Sequence, residues 1–366
     1  MDKEDTPNRD CGHRDTFWDI YLKHSNYGSR LFNLFTKTAP YFISYTFDRE
    51  SLPLPKEYGK MEYITCAAPP GCKQEICDFL MKYFSIKYKQ KTGETPLLYF
   101  TVDTLFENDD KDHLFLIRHE TNGIIATVRY HWIGHFMGLT SPSSTPDIYL
   151  VDALCVHPNW RGKKLVEYLL TTLHNFANKR NIPHAIFLHE GSSRFGHFPT
   201  SIHISDYVYR NLSNNYPITF HPSTSIRVVS QEMALRWIKN YLQFYPNTVF
   251  IGHPHCKNIK WVFYQNGSYC ILAGIQNTHQ IFSNTNDTMG WITAWFQYGS
   301  TTDDIRKNAS IEITEYIKKD FDWIWMDIIW AGGDKKSDLW IKDGYFRWYN
   351  YQWDSHMSRN SYGILI

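Results

Sequence analysis

The stretch Leu150-Val151-Asp152-Ala153-Leu154-Cys155-Val156-His157-Pro158-Asn159-Trp160-Arg161-Gly162-Lys163-Lys164-Leu165-Val166 carries the information that decides the fold. Its first residues are mostly apolar and fit a buried strand, Pro158 and Gly162 punctuate a turn, and a helix follows. The helix is read from period: Leu165, Val166, Leu169, Leu170, Leu173, Phe176 and Ala177 recur at steps of three and four and form one apolar stripe. A strand leading through a turn into a helix presents free backbone N–H groups, and the helix dipole adds positive potential at that end. Arg161, Lys163 and Lys164 add more, and Gly162 lets a ligand come close to the backbone. On their own, three basic residues would be a solvated surface. Set between a buried strand and a long apolar helix, they suit the diphosphate of a cofactor.

Outward from this stretch, the chain echoes itself. Runs rich in β-branched and aromatic residues flank Asn122-Gly123, from His113 to Phe136, and Asn266-Gly267, from Ile259 to Ile275. Asn-Gly tolerates the positive φ of a tight turn, so both runs read as hairpins. After the first come a strand (Ile148 to Val156), a helix (about Lys163 to Lys179) and a strand (His184 to His189). After the second come a strand (Gly290 to Phe296), a helix (about Asp303 to Lys319) and a strand (Phe321 to Ile329). Turn glycine and helix start are about forty residues apart in both halves, which reads as a degenerate duplication. Ile76, Phe79, Leu80, Tyr83 and Phe84 mark a further helix. Gly138 to Pro146 reads as a loop, and Asn211 to Ser223 as the connection between halves.

With 366 residues, 43% of them apolar, the chain can bury the cores of two domains or one large one. Lys and Arg number 38 against 37 Asp and Glu, so the surface is not built to neutralise nucleic-acid phosphates. Aromatic residues at 17% exclude a disordered chain. The polar opening Met1 to Thr16 is neither a signal peptide nor an anchor, and no stretch approaches the ~20 apolar residues of a membrane span. An odd count of 7 cysteines without an export signal reads as free thiols. The expectation is a cytoplasmic monomer with no nucleic acid and no stable membrane insertion.

The motif Arg161-Gly162-Lys163-Lys164-Leu165-Val166 resembles the diphosphate loop of the GNAT superfamily of acyl-CoA-dependent N-acyltransferases, Arg/Gln-x-x-Gly-x-Gly/Ala, without its two glycines in place. It is more similar to one branch, the N-myristoyltransferases, in which two GNAT-like halves share one chain. Their segment Phe-Leu-Cys-Val-His-x-x-x-Arg-Ser-Lys-Arg-Val-Ala is matched by Leu154-Cys155-Val156-His157, Arg161, Lys163 and Lys164. Phe17-Trp18-Asp19 resembles the family's Phe-Trp-x-Thr-Gln-Pro, and Tyr207-Val208-Tyr209-Arg210-Asn211-Leu212 its Tyr-Trp-His-Arg-Ser-Leu, with Tyr209 in place of histidine. Asn350-Tyr351-Gln352-Trp353 through Gly363-Ile364-Leu365-Ile366 is similar to its Tyr-Asn-Trp-x-Cys-Pro to Gly-Leu-Val-Leu-Gln terminus, one residue shorter after the glycine.

The resemblance implies an α+β fold of two GNAT-like lobes related by pseudo-duplication, each a mixed, mostly antiparallel sheet flanked by helices. It divides the chain into a flexible arm (1–16), an acyl-CoA-binding lobe (17–215), and a second lobe (216–366) supplying the acceptor side and the C-terminal carboxylate. It implies transfer of an acyl chain, myristoyl first, from acyl-CoA to the N-terminal glycine amine of an acceptor protein or peptide. The rivals are an acetyl-CoA-dependent GNAT enzyme and a non-catalytic CoA- or peptide-binding relative. In this scheme Thr16, Phe17, Trp18, Ala153, Leu154, Cys155, Val156, Arg161, Gly162, Lys163, Lys164, Leu165 and Val166 hold the CoA. The N–H groups of Ala153 and Leu154 form the oxyanion hole, the carboxylate of Ile366 is the base, and Tyr207 and Tyr209 face the acceptor. A carboxylate is a weak base unless burial raises its pKa, and Gly363-Ile364-Leu365-Ile366 is apolar enough to be buried. The second helix opens with Asp303-Asp304, which repels a diphosphate, so only the first half is expected to hold CoA. No metal site is expected, because His253-Pro254-His255-Cys256 and Cys66, Cys72 and Cys77 lack a paired Cys-x-x-Cys spacing. His157 reads as scaffold, Cys155 as an apolar mid-strand thiol, and Trp323 to Trp330 as a buried strand.

Overall fold

The computed structural model describes residues 42–44, 46–84, 87–90, 93–96, 101–138, 145–190, 201–212, 224–245, 248–253, 256, 258–282, 287–299, 302–332, 339–355 and 361–366. In chain order the elements are β1 (Ile43–Ser44), β2 (Lys60–Ile64), α1 (Pro70–Tyr83), β3 (Lys87–Gln90), β4 (Gly93–Pro96), β5 (His113–His119), β6 (Gly123–Met137), β7 (Asp147–Val156), α2 (Leu165–Lys179), β8 (Ala185–Glu190) and β9 (Ser201–Asn211). They continue with β10 (Thr224–Val229), α3 (Gln231–Phe244), β11 (Phe250–Gly252), β12 (Ile259–Asn266), β13 (Tyr269–Phe282), β14 (Asp287–Tyr298), α4 (Asp303–Ile317), β15 (Trp323–Asp327), β16 (Ile341–Tyr351), β17 (Trp353–Asp354) and β18 (Tyr362–Ile364). Among the described residues no helix is long and apolar enough to cross a membrane.

The duplication is plain in the pairing. β2, β5, β6 and β7 run antiparallel in that order, and β8 joins β7 in parallel. β10, β12, β13 and β14 repeat the pattern, with β15 parallel to β14. Gly123 (φ +66°) and Gly267 (φ +58°) turn the two hairpins through left-handed backbone, as Asn-Gly predicts. In the first lobe α2 covers one face of the sheet, packing Leu165, Leu169, Leu170 and Leu173 on Phe115, Val128 and Tyr149. Ile76, Phe79 and Leu80 of α1 cover the other, against Leu114, Leu116 and Ala153. In the second lobe α4 and α3 take these two places.

What the period of the sequence does not convey is how the lobes join. β9 lies inside the expected first lobe (17–215) yet pairs with β15 and β16 of the second, and β16 in turn pairs with β8. On the other side β11 bridges β6 and β18, and β18 pairs with β14. The path therefore closes through β14, β15, β9, β16, β8, β7, β6, β11 and β18 within one fourteen-stranded sheet. The largest core spans both lobes, with Ile133, Phe136 and Leu150 from one and Trp295, Ile324 and Ile364 from the other. The arm 1–16, the expected boundary at 215–216 and most of the Gly138 to Pro146 loop lie outside the described residues.

Candidate functional site

β7 is interrupted where it matters. Thr127 pairs with Cys155 and Arg129 with Asp152, so Ala153 and Leu154 together oppose the single residue Val128. A bulge of this kind leaves a backbone group out of the ladder. Ala153 sits there at φ +47°, left-handed backbone that costs a non-glycine residue about 1 kcal/mol and persists only where its surroundings hold it. Two contacts do so. The Thr127 hydroxyl donates to the Ala153 carbonyl at 2.8 Å. The buried Arg129 guanidinium grips the Asp152 carboxylate through Nε (2.7 Å) and a terminal nitrogen, and donates to the Thr104 carbonyl at 2.8 Å. The bulge also changes which face the strand presents: Tyr149 and Val151 before it, and Leu154 and Val156 after it, all pack toward α2.

Beyond Val156 the chain makes a short 3-10 turn, Pro158–Trp160, in which His157 Nδ1 accepts from the Asn159 N–H at 3.2 Å and the ring packs edge-on to Tyr83. His157 is scaffold. Arg161 Nε donates back to the Val156 carbonyl at 3.3 Å. Gly162 (φ +80°) and Lys164 (φ +60°) are both left-handed, and α2 starts at Leu165 without a side-chain cap. Among the described residues the N–H groups of Gly162, Lys163, Lys164, Leu165 and Val166 meet no acceptor. They border a cleft of about 630 Å³ lined by Leu154, Cys155, Val156, Arg161, Gly162, Lys164, Leu165 and Val166, together with Tyr83, Phe84 and Trp160. Lys163 turns aside, its Nζ 4.1 Å from the Trp160 ring centre. Burial pushes the Cys155 thiol up to about 11, with Arg161 opposing, so at neutral pH it is not a thiolate nucleophile.

The cleft thus gathers eight of the expected CoA-binding residues, Leu154 among them, while Ala153 is buried next to Leu154. Thr16, Phe17 and Trp18 lie outside the described residues. Ile366, Tyr207 and Tyr209 do not line the cleft. Ile366 follows β18 in the second lobe, where its N–H donates to Gln276 Oε1 at 3.0 Å, beside the point at which β14 leaves β15. Tyr207 is buried, 3.3 Å from the Tyr362 hydroxyl, which itself donates to Asp327 at 3.2 Å. Its ring, with those of Trp325 and Phe346, forms an aromatic cluster that Tyr209 joins through Trp323. Tyr83, Phe84, Trp160, Thr127 and Arg129 are contributors that reading the sequence missed. Asp152, a carboxylate inside an apolar strand, was the one visible sign that a buried cation stood opposite.

The second lobe is built differently at the matching point. Its strands β14 and β15 part after the pair Trp291–Trp325, as β7 and β8 part after Leu150–Ile186, but β18 fills the gap against Ala294 and Trp295. Thr302 caps α4 by accepting from the Ile305 N–H, with Asp303 and Asp304 in the first turn. Among the described residues no three His, Cys, Asp or Glu side chains converge as metal ligands. His253 packs on Trp132, Cys256 is buried, and Pro254 and His255 lie outside the described residues.

Residues 73–195, which hold the bulge, the turn and most of α2's neighbours, match the model of the Acetyltransferase (GNAT) family. The structure of Saccharomyces cerevisiae N-myristoyltransferase with bound myristoyl-CoA is similar at a TM-score of 0.55 and 13% identity, over 87% of this chain and 92% of that one. A second structure of the yeast enzyme, with bound myristoyl-CoA and inhibitors, gives 0.53 and 12% over 86% of each chain. At such identities the likeness is one of fold: two lobes of the kind expected, in the same chain. No curated protein sequence matches this chain.

Proposed function

We propose that this protein is an acyl-CoA-dependent N-acyltransferase that moves an acyl chain, myristoyl first, to the α-amine of an N-terminal glycine on an acceptor protein. The observation that carries this reading is the sequence of features along one strand: a bulge at Ala153–Leu154, then a cleft, then a run of free amides opening α2. Each suits one part of a thioester substrate. The amides of Gly162 to Val166, with Arg161 and Lys164, bind the CoA diphosphate. Leu154 to Val156 run beside the pantetheine. The amides of Ala153 and Leu154 face the thioester oxygen, where negative charge grows as the amine attacks, and preorganised donors there stabilise the transition state more than the ground state.

The amine must lose a proton, and the carboxylate of Ile366 is proposed to take it. Gln276 and the pairing of β18 hold the backbone leading to that carboxylate, which supports a positioned rather than a frayed group. Tyr207 and Tyr209 are proposed to border the acceptor peptide. A short donor such as acetyl-CoA is the second reading, favoured by the narrowness of the cavity of about 20 Å³ beyond Val151.

The test begins with calorimetric titration of CoA, followed by turnover of myristoyl- and acetyl-CoA with peptides beginning in glycine or alanine. Acyl transfer to the glycine peptide, lost when Ile366 is C-terminally amidated although CoA still binds, is the expected result. Absence of CoA binding, or turnover indifferent to amidation, would count against the cofactor site or the base respectively.

A further inference from the structure

On β6 a buried histidine is held at one ring nitrogen only. His131, 3% exposed, has Nδ1 2.9 Å from Asp112 Oδ1. Asp112 is fully buried, and it also accepts from the Trp132 N–H through Oδ1 and from the Asn108 N–H through Oδ2, both at 2.9 Å. Burial alone would raise this carboxyl, but His131 first and Arg129 after it bring it below the ordinary carboxylate value, so Asp112 is ionised. An ionised carboxylate only accepts. Nδ1 of His131 therefore carries the hydrogen, and the lone pair of the neutral ring lies on Nε2, which has no hydrogen-bond partner among the described residues. The other charged groups around the pair are Arg129 on the same strand, its partner Asp152 on β7, and Glu107, which acts on Arg129; Lys111 and His253 lie against the neighbouring Trp132.

The strand registers place this open nitrogen between the bulge and the end of the chain. Val128, opposite the bulge, and Gly134 lie to either side of His131, about 10 Å each way along β6. At Gly134 the chain of the second lobe comes close, since a Cβ there would meet the His253 nitrogen at 2.7 Å. β18 runs parallel to β11 through Ile251–Ile364, and the Leu365 N–H still donates to the Ile251 carbonyl. Extending that register sets Ile366 beside His253, level with Gly134. Because β11 and β6 are antiparallel, the terminal carboxylate leaves β18 in the direction of Ile133 and His131. From this placement we propose that His131, oriented by Asp112, receives the proton that the acceptor's ammonium gives up to the Ile366 carboxylate. The inference rests on the acyl-transfer reading above and deepens it. The ammonium loses one proton to the carboxylate, which hands it to Nε2 and so to solvent, leaving the carboxylate free for the next turnover. The amine then attacks the thioester carbon, the N–C bond forms, the C–S bond breaks with its electron pair on sulfur, and the second proton of the amine restores the thiol of CoA.

The experiment is the pH dependence of kcat/KM for a peptide beginning in glycine, with myristoyl- or acetyl-CoA as donor, on wild type, His131→Asn and Asp112→Asn. The asparagine at position 131 keeps an N–H toward Asp112 and removes only the proton acceptor. It should lower kcat about a hundredfold at neutral pH and leave the peptide KM and the calorimetric affinity for CoA as in wild type. The substrate amine supplies one protonation to the acid limb of every enzyme. Wild type should show a second, and His131→Asn should lose it. Asp112→Asn takes the counter-charge from the imidazolium and should move that second protonation to lower pH. If wild type transfers the acyl chain with the amine's protonation alone, or His131→Asn keeps the second one, the proposal is overturned while the acyl-transfer reading stands. Where His131→Asn does not fold, Asp112→Asn decides in its place, and a second protonation that does not move overturns the proposal. If CoA binds but wild type acylates no peptide, the acyl-transfer reading falls and takes this one with it.

Discussion

Ala153 holds a backbone conformation that glycine would adopt without strain, yet its methyl group is buried. Replacing it by glycine removes about 1 kcal/mol of strain and about 0.8 kcal/mol of burial, so Ala153→Gly should leave stability within about 1 kcal/mol of wild type in urea denaturation. Ala153→Val, with a branched Cβ at φ +47°, should cost at least about 2 kcal/mol and lower turnover, since it flattens the bulge. Nothing about an alanine announces left-handed backbone, which is why the oxyanion role could be inferred only through a family likeness and never from the residue itself. Three titrating side chains near the lobe junction oppose one another. Burial pushes His174 and His184 down to about 4 and the Asp354 carboxyl up to about 7. Each histidine is protonated only in the unfolded chain between about pH 4 and 6.5, so its stabilising effect is lost as pH falls through that window. Asp354 is protonated only in the folded chain between about pH 4 and 7, so it removes stability as pH rises. Two against one, stability should rise from pH 4 to 6.5. Asp354→Asn should steepen that rise and leave the variant more stable than wild type at pH 8 by a few kcal/mol, measured as urea midpoints across the range.

At the scale of elements, the start of α2 is the most exposed part of the functional reading. A Cβ added at Gly162 would meet no atom within 4 Å, so Gly162→Ala strains only the backbone and should cost about 1 kcal/mol of stability. Arg161→Ala and Lys164→Ala should each weaken CoA binding about tenfold, with the difference from wild type shrinking as salt is raised. Lys163→Ala, whose ammonium lies over Trp160, should matter less. Calorimetry at two ionic strengths decides between this pattern and a merely solvated basic surface. The helix itself was fully legible, because its buried stripe alone fixes both its length and its packing face. The hairpins were legible through Asn-Gly. The aromatic half of the cleft was not, since Tyr83 and Phe84 end a different helix and reach Val156 only through the folded sheet, a distance no local pattern encodes.

The duplication could be read along the chain, but the exchange of β9 and β16 between lobes and the closure through β11 and β18 could not. Short strands such as Phe250–Gly252 and Tyr362–Ile364 carry too few residues for any period, and they acquire partners only after both lobes exist. Closure also governs how the proposed base can be tested. Deleting residues 361–366 would strip β18 from between β11 and β14 and damage the core, whereas amidation alters one charge and spares the strand. The same closure has a consequence for proton exchange with solvent. A three-residue strand ordinarily frays and trades its amide hydrogens within seconds, but the N–H groups of Gly363 and Leu365 are tied to the Val249 and Ile251 carbonyls at 3.1 and 2.9 Å inside the seam. In deuterium oxide these two amides should therefore outlast those of the far longer but peripheral β10, releasing their hydrogens only in the rare global openings that undo both lobes at once.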